Sequence, residues 1–196
     1  MSVRDAVIVR DAEPRELAEV GQLRVAAYRA GGFLSATSGY ADTLAALGTA
    51  DGGQVLVAVQ DGATAQDGAT AQDGAAAQDG AAAQDGRILG TVMLRTWPHA
   101  EQVVTGPDEA EVRALAVAPA GQGRGTGRAL LRAVIDRAAR QGVRHLVLCT
   151  QPEMRAAHHL YGQAGFRRLP DRDWSPTAGV SLLAYGLHLP AAVPRS

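Results

Sequence analysis

The residues most able to do chemistry lie in one glycine-rich run, QGRGTGR, from Gln122 to Arg128. A strand pattern, EVRALAVAP, precedes the run, and a helical pattern, RALLRAVIDRAARQG, follows it. Such a turn favours anions, because its backbone N–H groups converge and the helix dipole attracts negative charge. A hydrogen bond to a charged acceptor contributes about 1.5–3 kcal/mol, so three or four would hold a pyrophosphate.

The two common nucleotide-binding motifs do not fit this run. A P-loop needs a lysine after its glycines, and the chain contains no lysine. The dinucleotide fingerprint needs G-x-G-x-x-G after the first strand of a βαβ unit, whereas Gly123, Gly125 and Gly127 form G-x-G-x-G. Taken alone, the glycines therefore leave a tight turn without a ligand as an open alternative.

Composition limits the class of protein. The 196 residues carry a formal net charge of −1, so no strong field points to nucleic acid or to a membrane surface. The single cysteine, Cys149, forms no disulfide within the chain, which favours a reducing compartment. The N-terminus does not read as a signal peptide, and no run approaches the roughly 20 apolar residues of a membrane span. We expect a soluble cytoplasmic protein, and no spacing of histidine, cysteine and carboxylate indicates a metal site.

The elements that must position the glycine-rich run follow from hydrophobic periodicity. Strands and helices alternate, which predicts an α/β or α+β class with a largely antiparallel front half. Simple alternation along the strand before the run places Val112, Ala114 and Ala116 on one face, and Glu111, Arg113, Leu115 and Val117 on the other. The predicted order is a strand at Ala6–Arg10, a helix from Pro14, a helix at Ala41–Gly48, strands at Gln54–Gln60, Arg87–Arg95 and Glu111–Pro119, a helix at Arg128–Gly142, a strand at His145–Thr150, a helix at Glu153–Gly165, and final strands in FRRL and GVSLLAYGLHL.

A six-residue repeat interrupts this pattern. Residues 61–84 contain DGATAQ twice and DGAAAQ twice. Its alanines bury too little area to form a packed β-helix, so it indicates a low-complexity loop. Without the repeat, Gln60 meets Asp85, and the text QVLVAVQDGRILGTVMLR is a hairpin with Asp-Gly at its turn. We therefore predict one domain over residues 1–196, with the repeat inserted in a β-hairpin loop.

Two segments together resemble a known family. The run LAVAPAGQGRGTGRALL resembles motif A of the GNAT superfamily of acetyl-CoA-dependent N-acyltransferases, with Val117, Pro119, Gln122, Gly125 and Gly127 at its defining positions. The segment HLVLCT followed by MRAAHHLYGQAGF resembles the second motif of that family. The ending DRDWSPTAGVSLLAYGL is similar to a bacterial, unassigned subgroup. The resemblance implies a mixed, mostly antiparallel sheet flanked by helices and splayed between its fourth and fifth strands.

The resemblance also implies acetyl-CoA as co-substrate and an amine of a small molecule or a peptide as acceptor. The pantetheine arm of acetyl-CoA would pair with the backbone of Leu115, Ala116 and Val117. The pyrophosphate of acetyl-CoA would lie on the turn from Gly123 through Thr126 to Arg128, with Gln122 shaping the loop. Arg124 and Arg128 would either meet phosphates or remain solvated side chains.

For catalysis, Tyr161 matches the family tyrosine that protonates the departing thiolate, although its ring could instead pack under the pantetheine. Glu111 matches the glutamate base of histone-type members, with a rim carboxylate paired to Arg113 as the alternative. Cys149 is expected to be a small buried residue. Met154 departs from the family, which often has an asparagine there, and so weakens that one contact.

Three hypotheses about function follow from these residues. The first is an N-acetyltransferase acting by direct transfer, and the second is a non-catalytic acyl-CoA-binding sensor. The third is an interaction protein that works through the repeat. Tyr40, Trp97 and Trp174 could form an aromatic wall on the acceptor side. The acceptor and the oligomeric state, including a homodimer, stay open.

Overall fold

The computed structural model describes residues 7–34, 39–49, 52–60, 86–100, 103–177 and 180–190. The predicted elements are present with their ends shifted by a few residues. One strand, Trp174–Thr177, was missed because it is short and contains Pro176. The elements are β1 (Val7–Asp11), α1 (Leu17–Ala30), α2 (Tyr40–Ala46), β2 (Gln54–Gln60), β3 (Ile88–Thr96), β4 (Glu109–Val117), α3 (Thr126–Arg140), β5 (His145–Thr150), α4 (Arg155–Gln163), β6 (Arg167–Arg168), β7 (Trp174–Thr177) and β8 (Val180–His188).

The strands form one open, mixed sheet in the order β1-β2-β3-β4-β5-β8-β6, with β7 paired to β8. Neighbouring strands in the described sheet are antiparallel except β4 and β5, which are parallel. The predicted fold class is therefore confirmed. β2 and β3 pair as a hairpin, from Gln54 opposite Leu94 to Val59 opposite Ile88. The repeat at 61–84 lies outside the described residues, so its placement in a loop and the single-domain boundary remain predictions.

Each face of the sheet carries its own hydrophobic core. One core joins the sheet to α3 and α4 and includes Leu130, Val134 and Tyr161. The other joins the sheet to α1 and α2 and includes Val20 and Leu44. The apolar stripes of these helices are buried against the sheet, as amphipathic helices require. The sheet therefore separates an α1–α2 face from an α3–α4 face.

β4 and β5 stay together only at one end. They pair from Glu109 opposite His145 to Glu111 opposite Val147, and no later pair joins them among the described residues. Beyond that point β4 continues to Val117 and β5 to Thr150. The strands part there and leave a gap, which we call the β4–β5 slot, between residues 112–117 and 148–150. The predicted splay of the fourth and fifth strands is confirmed.

The paired end of the two strands is held by Glu109. Its carboxylate lies 2.8 Å from Nδ1 of His145 and accepts hydrogen bonds from Arg172 at 2.9 and 3.0 Å. The backbone N–H of Thr105 donates to the same carboxylate at 2.8 Å. These contacts tie β4, β5 and two connecting segments together where the slot begins.

A β-bulge in β4 changes which face its side chains take. Ala114 has a φ of 52°, and the register with β3 shifts between Thr91 and Met93, so β4 carries one extra residue there. Ala114 packs in the α1–α2 core, whereas Leu115 and Val117 pack against the α3–α4 core. The alternation expected from the sequence was therefore wrong beyond Arg113. Glu111 and Val117 lie on opposite faces of the sheet.

Candidate active site

The glycine-rich run forms a tight connection between β4 and α3. A 3-10 turn at Pro119–Gly121 follows β4, and Gln122 is extended. Gly123 and Gly125 take φ angles of 73° and 80°, in the left-handed region that glycine adopts without a Cβ penalty. A Cβ on Gly121 would lie 2.7 Å from the carbonyl oxygen of Leu89. Glycine is therefore required here by both conformation and space.

This connection presents backbone donors at the start of α3. The hydroxyl of the buried Thr126 donates to the carbonyl of Gly121 at 2.8 Å and fixes the turn. The N–H of Ala129 donates to the carbonyl of Gly125 at 2.9 Å. The N–H groups of Thr126, Gly127 and Arg128 precede that bond and have no partner within the helix. Residues 122–125 and Arg128 are exposed whereas Thr126 is buried, so the turn as a whole lies at the protein surface.

The remaining residues expected to bind the cofactor surround this turn. Ala116 is buried, while Leu115 and Val117 are partly buried against the α3–α4 core. The Arg128 side chain is exposed and donates to the Gln163 amide oxygen at 3.1 Å. It lines a groove between α3 and α4, with Arg132 and Leu160 among the other lining residues. Arg124 is also exposed. The backbone of 115–117 and the turn thus form one continuous edge.

A cavity of about 490 Å³ opens on the α1–α2 side of the slot. Glu111, Arg113 and Ala114 of β4 form one wall, and Cys149 and Thr150 of β5 form another. We call it the Glu111 cavity. Its volume falls within the range of pockets that bind small molecules.

Glu111 is 4% exposed and lies between two guanidinium groups. Its Oε2 is 3.7 Å from Nη1 of Arg95 and 3.9 Å from Nη1 of Arg113. The alternative expected for Glu111, a rim carboxylate near Arg113, is right about the partner but not about the rim. A buried carboxylate facing a cavity can accept a proton from a group bound there.

Tyr161 lies on α4, in the α3–α4 core, and is 7% exposed. Its ring packs against Phe166 and Tyr185, with centroids 5.9 and 6.3 Å apart. Burial raises the pKa of Tyr161, and negative charge on Tyr28 would raise it further. Tyr161 is not among the residues that line the Glu111 cavity, whereas Tyr28 is. The structure therefore places the two predicted catalytic residues on opposite faces of the sheet, with the slot between them.

The structure also shows where the other residues named from the sequence lie. Cys149 lines the cavity and is half-buried, so the expectation of a buried residue is met only in part; its partial burial raises the pKa of the thiol. Met154 accepts a hydrogen bond from the Thr150 hydroxyl at 3.4 Å through its sulfur. Tyr40 and Trp174 line the cavity, but Trp97 is 40% exposed and is not among the lining residues. The predicted aromatic wall is thus correct for two of its three members.

The sequence interpretation missed several cavity residues. Tyr28 and Phe33, which lie at the end of α1, contact each other edge to face at 6.5 Å and complete the aromatic wall. Arg24, on the same helix as Tyr28, lies behind the lining: it is fully buried and donates to the carbonyl of Leu47 at 2.6 Å. Arg113, in contrast, was named from the sequence as the alternative partner of Glu111, which lies two residues before it on the same strand. Nothing comparable marks Tyr28, whose partners come from distant segments.

Within the described ranges, no group of three or more histidine, cysteine, aspartate or glutamate side chains could hold a metal ion. No helix in those same ranges is both long enough and apolar enough to cross a membrane.

Residues 58–166 match the profile of the acetyltransferase (GNAT) family. The chain belongs to that family. It is therefore an acyl-CoA-dependent N-acetyltransferase, as the resemblance of its two motifs predicted. A search of curated proteins finds no match.

Solved structures of the same fold cover nearly the whole chain. A GNAT acetyltransferase from Staphylococcus aureus Mu50 is 16% identical, with a TM-score of 0.64, over 94% of this chain and 100% of that one. A GCN5-related N-acetyltransferase from Kribbella flavida is 24% identical, with a TM-score of 0.62, over 94% and 98%. The yncA acetyltransferase from Salmonella typhimurium, solved with acetyl-CoA, is 20% identical, with a TM-score of 0.60, over 97% and 98%.

Proposed function

We propose that this enzyme moves an acetyl group from acetyl-CoA directly to an amine of a small molecule or a protein. The observation that carries the proposal is the slot between β4 and β5. It has a glycine-rich turn with helix N–H donors beyond one end and a cavity with a buried carboxylate on the opposite face. Donor and acceptor would approach from opposite faces and meet in the slot.

The residues around the turn fit the donor. The N–H groups of Thr126, Gly127 and Arg128 can bind pyrophosphate oxygens, because they point out of a helix N-terminus with its partial positive charge. Gln122, Gly123 and Gly125 let the backbone approach those oxygens closely. The edge of β4 at Leu115, Ala116 and Val117 has parted from β5, so it can pair with the extended pantetheine arm. Arg124 and Arg128 add positive charge beside the phosphates.

Transfer requires two proton movements. Glu111 accepts one proton from the acceptor amine while the nitrogen–carbon bond forms and the carbon–sulfur bond breaks. The electrons of the broken bond stay on sulfur, which takes a proton from the Tyr161 hydroxyl. A tyrosine hydroxyl is protonated at neutral pH even at its ordinary pKa of 10.0, and burial raises the pKa of Tyr161 further, so the proton is present to donate. Proton exchange with solvent then returns Glu111 to its ionised form and Tyr161 to its protonated form.

The test is Tyr161→Phe, with Tyr185→Phe as a matched control on the neighbouring ring. Acetyl-CoA affinity would be measured by calorimetry, and turnover by thiol release with amino acids, polyamines, aminoglycosides, aryl amines and peptides. We expect the affinity of Tyr161→Phe to stay within about threefold while kcat falls about 100-fold, a typical loss for general acid catalysis. Tyr185→Phe should keep both.

Two outcomes would contradict the proposal in different ways. Unchanged kcat in Tyr161→Phe would remove Tyr161 from the chemistry. Tight acetyl-CoA binding by the unaltered chain, with no turnover on any amine, would favour the non-catalytic sensor.

A further inference from the structure

The described lining of the Glu111 cavity carries one charge of each sign. Glu111 is its one carboxylate and Arg113 its one guanidinium group, and Oε2 of Glu111 lies 3.9 Å from Nη1 of Arg113. Arg95, which is not a lining residue, also approaches Glu111, at 3.7 Å. A carboxylate on the acceptor would have to compete with Glu111 for Arg113, and a second ammonium group would have to compete with the arginines for Glu111. Because a charge that leaves water without a partner is costly, the cavity favours an acceptor whose amine is its one ionisable group.

Aromatic rings form much of the rest of the lining. Tyr28 lies near the end of α1, Phe33 follows that helix, Tyr40 begins α2 and Trp174 begins β7. The rings of Tyr28 and Phe33 contact each other edge to face, with centroids 6.5 Å apart. The aliphatic lining residues include Leu34, Val103, Val180 and Leu182. Rings on several separate segments thus border one space, which suits a flat apolar group that can stack or pack edge to face.

The cavity has a reactive side and an apolar side. Ala114 of β4, with Cys149 and Thr150 of β5, borders the slot in which acyl transfer is proposed, and Glu111 lies where the paired part of β4 ends. The aromatic lining residues come from segments other than β4 and β5. An acceptor whose nitrogen reaches the slot therefore extends its body into the space that the rings border. A volume of about 490 Å³ lies within the range of cavities that enclose ring-bearing small molecules.

We propose that the acceptor is an arylalkylamine, a primary amine on a short chain that ends in an aromatic ring and bears no second charge. This inference rests on the proposed acetyl transfer. Glu111 takes a proton from the amine as the nitrogen–carbon bond forms. The carbon–sulfur bond breaks, its electron pair stays on sulfur, and sulfur takes the proton of Tyr161. The products are the N-acetyl arylalkylamine and coenzyme A.

A substrate series separates the ring from the charges. Phenethylamine is compared with propylamine, which lacks the ring, with phenylalanine, which adds a carboxylate, and with 1,5-diaminopentane, which has a second ammonium group in place of the ring. We expect kcat/KM for phenethylamine to exceed the value for each of these by at least about tenfold. The amine of phenylalanine is less basic than that of phenethylamine, so more of it is neutral at a given pH, and this bias works against the expected order. 2-Cyclohexylethylamine keeps the bulk but not the flat ring, and its kcat/KM should be about two- to tenfold lower.

Trp174→Ala tests the aromatic wall, with Trp97→Ala as a matched control. Trp97 is the other tryptophan of the chain and does not line the cavity. In Trp174→Ala we expect KM for phenethylamine to rise about tenfold, as for a lost aromatic contact, while KM for propylamine changes less than threefold. Trp97→Ala should leave both within about twofold. Phe33→Leu removes a different ring and keeps an apolar side chain, so it tests the same wall with an expected rise of about three- to tenfold, even if Trp174→Ala fails to fold.

Tryptophan fluorescence locates the ring without turnover. The chain has two tryptophans, so Trp97→Phe leaves Trp174 as the one emitter of this kind. Titration of phenethylamine into the complex of this variant with coenzyme A should give a saturable change in emission, and propylamine at the same concentrations should not. Acetylation of phenethylamine by the same variant without any change in emission would place the ring away from Trp174 and contradict the inference.

The results distinguish the inference from the function on which it rests. Transfer to propylamine, phenylalanine or 1,5-diaminopentane as efficient as to phenethylamine would overturn the arylalkylamine proposal and leave the transferase intact. Transfer to peptides or other amines alone, or an equal effect of Trp174→Ala on phenethylamine and propylamine, would do the same. A kcat/KM for 2-cyclohexylethylamine that matches phenethylamine would overturn the role of the flat ring. Binding of acetyl-CoA without transfer to any amine, across this series and the wider panel, would overturn both proposals.

Discussion

At the scale of single residues, the site depends on one buried carboxylate between two arginines. Arg95 and Arg113 hold Glu111 in place and favour its ionised form through their charge. An ionised carboxylate is the form that can accept a proton, which is the role proposed for Glu111.

Glu111→Gln should reduce kcat/KM about 100-fold at neutral pH, because the amide cannot accept a proton. The deficit should shrink as pH rises, since more of the acceptor amine then arrives neutral. A pH–rate profile of both proteins measures this, with Glu19→Gln, an exposed carboxylate on α1, as the control. A deficit that is the same at every pH would mean that Glu111 positions groups and does not take the proton.

Gly121→Ala should lower the free energy of unfolding by about 1–3 kcal/mol, because the new Cβ would overlap the carbonyl of Leu89. Gly106→Ala is the control: a Cβ there meets nothing within 4 Å, so its effect should stay within about 0.5 kcal/mol. Urea denaturation of the three proteins gives both values. Equal stability of the two variants would show that the turn rearranges to accept the new Cβ without a loss in the free energy of unfolding.

The sequence predicted most of the glycine-rich turn but little of the cavity. Gly123, Gly125 and Gly127 form a local pattern whose meaning depends on one strand and one helix. Tyr28 and Phe33 reach the cavity only because α1 packs over β4, and that packing is a long-range result. Ala114 misled the alternation along β4, since a non-glycine residue with positive φ carries no signal in the sequence.

At the scale of elements, the parallel pair β4–β5 is joined at one end and open at the other. Glu109, His145 and Arg172 close the joined end. The element pattern allowed this sheet to be predicted in outline, because hairpins and helical stripes have clear periods. The Glu109 network was not predicted, since its members lie far apart in sequence and each reads alone as an ordinary polar residue.

Stability should fall in acid through Glu109. Partial burial would raise the pKa of Glu109, but hydrogen bonds from Arg172, His145 and Thr105 lower it to about 2. A depressed pKa in the folded state contributes stability above the ordinary value of 4.5, and that contribution is lost as pH falls toward 2. After allowance for solvent screening, we expect about 1–2 kcal/mol.

Denaturant titrations between pH 6 and about 2.5 would measure this slope. Glu109→Gln should flatten it, and Arg172→Gln should flatten it in part. An unchanged slope in both variants would place the acid sensitivity elsewhere in the chain.

At the scale of the whole molecule, the prediction of the fold and the prediction for the repeat are independent of each other. The family profile runs through residues 58–166, across the repeat at 61–84, and the solved relatives cover more than nine-tenths of the chain. β2 and β3 meet as a hairpin on either side of it. The described residues that form the slot and the cavity all lie outside the repeat.

Deleting residues 61–84 should leave kcat and acetyl-CoA affinity unchanged within about twofold. It should raise the free energy of unfolding by about 1–2 kcal/mol, because the loop to be closed is shorter. Thermal denaturation and thiol release on the full and shortened chains test both effects. Loss of turnover in a shortened chain that still folds would show that the repeat is required for catalysis.

The bulge at Ala114 divides β4 into two parts, to which the proposed function assigns different molecules. Before it, Glu111 and Arg113 line the Glu111 cavity; after it, Leu115 and Val117 pack against the α3–α4 core, on the face where we propose that the acetyl donor binds. Substitutions at or near Arg113 can therefore change which amine is chosen without disturbing how the acyl donor is held. If the proposed function holds, the amine specificity of such a strand can change, in evolution or by engineering, while the contacts to acetyl-CoA stay the same.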